Sequence, residues 1–104
     1  MSYHVHIDEP TQAYLDRLPL SDEAKVRVES FIREELAEVS DAFRNDLANR
    51  PGPPESYVFF IQRLLFDEQG DGLVHALDFH VNDEHAPSGI LLVLYVDHHQ
   101  ATAP

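Results

Sequence analysis

The sequence predicts an α+β domain in the order β-α-α-β-β-β, an antiparallel sheet with two helices packed on one face. Three patterns predict it: apolar alternation near the N-terminus, an apolar stripe at three- and four-residue steps between Val28 and Leu47, and three apolar runs after Ser56 separated by turn residues. The 104 residues suit one domain with one core, spanning 1–104 with a short disordered tail from about residue 100.

Tyr3, Val5 and Ile7 alternate with His4, His6 and Asp8, the pattern of a half-buried strand over residues 2–8 whose apolar side faces the helices. A short helix fits Thr11 to Leu18, just after Pro10 and stopped by Pro19. Ser21 is a good N-cap, and Asp22 and Glu23 put negative charge at the positive end of the helix dipole. Val28, Phe31, Ile32, Leu36, Val39, Phe43 and Leu47 then form one stripe. The expected helix runs from Ser21 to Ala48, roughly 40 Å, with a bend near Ser40. Glu29, Glu34, Glu35, Glu38 and Asp41 lie mostly off the stripe and read as its solvated face.

NRPGPPES can be neither helix nor central strand, so it connects the halves. Tyr57–Phe66, Leu73–Val81 and Ile90–Asp97 follow as a three-stranded antiparallel meander, separated by DEQGDG and NDEHAPSG. The first and third of these runs are apolar on both faces, which requires cover on both sides. Two helices cover one side only. The other calls for a second copy, a partner protein, or a sheet curled on itself.

Charge narrows the partners. Nineteen acidic and seven basic residues give a net charge of -12, and no Lys or Arg occurs from Leu64 onward. A nucleic-acid binder needs a basic patch to displace counterions from phosphates, so the charge disfavours nucleic acid and favours protein partners. The chain lacks cysteine, which excludes disulfides and thiolate metal sites. Its longest apolar run, Ile90–Val96, is too short to span a membrane, and its N-terminus lacks a secretory pattern, so a cytoplasmic protein is expected.

The opening YHVHIDEPTQAYLDRLPLSDEAKVRVESFI and the closing GILLVLYVDHH resemble the first and last elements of the RelE/ParE superfamily of bacterial toxins. The resemblance covers nearly the whole chain, through loose patterns rather than an invariant signature. It implies a toxin of a toxin–antitoxin-type pair: ribosome-dependent mRNA cleavage or gyrase inhibition, and an antitoxin that covers the toxin's apolar surface. The chain departs from the family in being acidic, with Arg63 as the one cation in the meander. By residue type and approximate strand position, without a spaced motif, Arg63, His75, Asp78, His80, Tyr95 and His98 resemble the catalytic set that the family implies for a metal-independent endoribonuclease of the mRNA interferase type. Histidine titrates near neutrality and serves as acid or base, and Arg63 would stabilise the developing phosphorane charge. Asp78 and Asp97 would repel the phosphate unless paired with histidines.

A metal site is the alternative use of the histidines. His4 and His6 share one strand face, and alternation puts Asp78 and His80 on the same outer side, a nitrogen–oxygen set suited to zinc or another divalent ion. His85 reads as an exposed loop residue, and DEQGDG lacks the spacing of an EF-hand loop and reads as a turn. No phosphate-cradling glycine motif and no paired nucleophile occur. The favoured reading is a toxin-like protein that acts chiefly through protein–protein binding on its apolar sheet face. It would bind an antitoxin-like partner or form a homodimer, and no cofactor is expected.

Overall fold

A computed structural model describes residues 2–101 and shows an α+β fold with a four-stranded mixed sheet and three α-helices. Strand β1, His4–Ile7, alternates exposed and half-buried residues as its sequence requires. Helix α1 spans Glu9–Asp16 and so begins two residues before the expected start. Asp8 caps it by accepting the Thr11 amide at 2.9 Å. Pro10 is tolerated in the first turn because an amide there has no intrahelical partner to lose.

Helix α2 spans Asp22–Ser30, with Ser21 Oγ accepting the Ala24 amide at 3.1 Å. The single helix expected from Ser21 to Ala48 does not form. The chain passes through a π-helical turn, Phe31–Glu35, and a 3-10 turn, Leu36–Glu38, and leaves helical geometry at Val39. Ser40 then caps a separate short helix α3, Asp41–Asn45, by accepting the Phe43 amide at 3.1 Å. A serine side chain that captures an amide three residues on competes with helix continuation, so the expected bend becomes a break. The extra residue of the π turn resets the stripe, and Phe31, Ile32 and Leu36 are all buried. Near the helix end, the Ala37 carbonyl accepts the Tyr3 amide at 2.7 Å, which ties β1 to the helices.

Strands β2 (Val58–Phe66), β3 (Val74–Asn82) and β4 (Ile90–Gln100) form the meander, and the sheet order is β1-β4-β3-β2. Strand β4 continues three residues past Asp97, and the Ala101 amide still bonds the Val74 carbonyl at 2.9 Å. The tail expected beyond this point lies outside the described residues. The sheet is not all antiparallel: β1 runs parallel to β4, His4 opposite Ile90 and Ile7 opposite Val93. Parallel neighbours need a long crossover, which the helical segment and the rest of the chain between them supply. A bulge leaves Leu94 without a partner, since His80 faces Tyr95 while Val81 faces Val93.

The helices cover one face of the sheet. Phe59, Leu65, Leu77, Phe79, Val81, Leu91, Val93 and Val96 meet Leu15, Leu18, Val28, Phe31, Ile32 and Leu36 there, and the Phe31 and Phe79 ring centres lie 5.1 Å apart. The loop after β3 is held down by ion pairs: buried Asp83 accepts from Arg44 at 2.6 Å and from Arg50. No helix of the described residues is long and apolar enough to cross a membrane.

Candidate functional site

Sheet alternation sorts the polar side chains into two groups. On the helix side, β3 presents His75 and β4 presents His98, at the end of the sheet near the β2–β3 turn. His75 is fully buried, its Nδ1 2.9 Å from His98 Nε2 and its Nε2 3.0 Å from Asp71 Oδ1. The two rings are nearly parallel, with centres 5.1 Å apart. One consistent tautomer assignment has His75 donating Nε2–H to Asp71 and accepting Nε2–H from His98 at its Nδ1. The His75 bond, followed by the Leu73 amide, holds the Asp71 carboxyl below its usual range. Burial, and then the neighbouring His75 and His99, push His98 below the usual imidazole value. Beside His98 is a shallow depression lined by Pro10, Tyr14, Arg17, Leu18 and Pro19.

Asp67, the first residue of the turn, is also buried and accepts both the amide and the hydroxyl of Ser21, the α2 cap. Those bonds hold its carboxyl below the ordinary range. The carboxylate lies so close to Gly70 that a Cβ there would force the Asp67 side chain to move.

On the uncovered side, His80 stacks on Tyr95 with ring centres 3.9 Å apart and meets Phe60 at 4.2 Å. Its Nε2 lies 3.1 Å from Asp97 Oδ2. Asp97 is paired directly across the strands with Asp78, whose Oδ1 accepts from Gln62 at 2.8 Å and whose Oδ2 lies 3.8 Å from His99. Around this polar centre Phe60, Leu64, Phe66, Val74 and Tyr95 stand exposed, with Leu64 at 49% and Tyr95 at 50% of full accessibility.

The sheet therefore divides the six residues expected to be catalytic. Asp78, His80 and Tyr95 share the uncovered face, whereas Arg63, His75 and His98 lie on the helix side. His75 touches His98, and His80 touches Tyr95. Arg63, paired with Leu77, makes no ion pair among the described residues, and its buried Nε has no hydrogen-bond partner. Of the expected metal set, His4 and His6 sit exposed on β1, and β4 separates them from Asp78 and His80 on β3. The three-residue donor group gathered within 4.8 Å among the described residues is instead Asp67, Asp71 and His75.

Sequence reasoning missed Asp67 and Asp71, although one signal was available: aspartate, aspartate and histidine at four-residue steps across a hairpin turn. No local pattern marks Asp83, because its arginines come from more than thirty residues earlier in the chain. No protein-family model, curated protein or solved structure matches this chain.

Proposed function

We propose that this chain is a protein-binding module, toxin-like in the sense of its RelE/ParE resemblance, whose uncovered sheet face is covered by a basic partner protein carrying an apolar segment. The observation that carries this reading is the contiguous exposure of Phe60, Leu64, Phe66, Val74 and Tyr95 around the Asp78–Asp97 pair. Apolar patches with polar groups at their rim or centre mark interaction surfaces. Charge selects the occupant. A second copy would bring another -12 and a second carboxylate pair to the same surface, and like charges across an interface cost several kcal/mol. A partner with an apolar strip flanked by Lys or Arg satisfies both features; in the family the chain resembles, an antitoxin covers the toxin's apolar surface.

Nuclease chemistry fits less well. The face that would meet RNA carries two aspartates, Asp78 and Asp97, and the one cation of the meander, Arg63, lies on the opposite side of the sheet from them.

Light scattering tests the choice of occupant. The reading expects a monomer at micromolar concentration, and a one-to-one complex when a basic amphipathic helical peptide is added. A stable dimer that Leu64→Lys dissociates would show that the face serves self-association instead.

A further inference from the structure

The DEQGDG turn between β2 and β3 is more than a connection. Asp67, Asp71 and His75 bring one donor atom each within 4.8 Å of the others. Two of the three are buried, Asp67 at 2% and His75 at 1% of full exposure, which separates them from an ordinary solvated acidic turn. Asp67 makes no ion pair among the described residues; its bonds come from the neutral amide and hydroxyl of Ser21. A buried carboxylate is normally paired with a cation or bound to a metal; no Lys or Arg occurs from Leu64 onward, and nearby Arg27 donates to the Phe66 carbonyl rather than to Asp67. Each Asp67 oxygen accepts from Ser21, which leaves lone pairs free for a further bond. Asp71 Oδ1 and His75 Nε2 lie 3.0 Å apart, close to the spacing of two ligands on one ion. On the far side of the ring, His98 Nε2 lies 2.9 Å from His75 Nδ1. A metal-bound imidazole normally has such an outer partner fixing its tautomer.

We propose that Asp67, Asp71 and His75 bind a first-row divalent cation, with His98 as the outer partner of His75. Two carboxylates and one imidazole, without thiolate, suit Zn2+ or Mn2+. Asp71 is exposed, so water completes the coordination from that side. On binding, His75 gives its Nε2 proton to solvent and takes the proton of His98 Nε2 at its Nδ1, and His98 is reprotonated at its own Nδ1. Both rings change tautomer with no net release of protons. The ion then clamps the end of β2 to the start of β3 and, through Ser21, to the first turn of α2.

The test is calorimetric titration of untagged, chelator-treated protein with ZnCl2 and with MnCl2. About one ion per chain is expected for at least one of the two salts. Asp71→Asn should weaken binding by more than about tenfold, and His98→Gln by about ten- to a hundredfold, the usual loss for an outer partner. The metal-free far-ultraviolet circular dichroism of Asp71→Asn should match wild type, which shows that the loss is not unfolding. A His4→Gln/His6→Gln double variant should bind as wild type does. No uptake by wild type, undiminished uptake by Asp71→Asn, or a loss that follows His4 and His6 would each overturn the site.

Discussion

Asp78 and Asp97 face each other directly across β3 and β4 on the side of the sheet that no helix covers. Like charges directly opposite one another on a sheet are destabilising. Asp78→Asn keeps the acceptor used by Gln62 and removes one charge. It should therefore stabilise the free protein by about 0.2–1 kcal/mol, read as a rise in urea midpoint at unchanged slope. A lower midpoint would mean that the pair is already neutralised within the chain.

The two faces predict unequal losses on removing a phenylalanine. Phe79 is fully buried against Phe31, so Phe79→Ala should cost about 3–5 kcal/mol. Phe60, one strand over and on the other face, should cost less than about 1 kcal/mol when changed to Ala, the range of surface substitutions. Equal losses in urea unfolding would indicate that the uncovered face is closed in solution.

Asp83, itself buried, holds two arginines whose side chains are 12% and 18% exposed. Asp83→Ala leaves those guanidinium groups without their shared anion and should cost about 3–5 kcal/mol, as breaking a buried ion pair does. A urea midpoint close to wild type would show that water reaches these groups freely.

The Arg44 guanidinium, and then the Tyr3 hydroxyl, hold the Asp41 carboxyl below its usual range. A depressed folded-state value contributes stability above the unfolded carboxylate pKa of about 3.9, and the contribution is lost as pH falls through the folded value. Wild type should therefore exceed Asp41→Asn in stability at pH 7, and the gap should shrink below about pH 4. A gap that stays constant or widens in acid would remove this assignment.

How far the sequence foretells this molecule depends on how local each feature is. Alternation at Tyr3, Val5 and Ile7, the Ser21 cap and the three apolar runs are local, and the elements they imply form close to where they were expected. The break at Val39–Ser40 was disguised by an apolar stripe that continues to Leu47 on either side of it. The parallel pairing of β1 with β4 is a property of the chain's path, which no window of residues records. The same holds for the sites. Face membership of His75 and His80 follows from strand alternation, but the contact of His75 with His98 depends on register across β3 and β4. Asp67 looks like any turn aspartate until the fold buries it under α2.

The central claim is that the exposed face binds a basic, apolar partner, and the most direct measurement is a fluorescence titration. The chain contains no tryptophan, so a Lys/Leu amphipathic helical peptide bearing one tryptophan reports its own binding without background. Saturable binding is predicted, weakened by Leu64→Ser and Phe66→Ser, which remove apolar contact, and by added salt, which screens the acidic face. Absence of binding, or binding unchanged in both serine variants, would contradict the account.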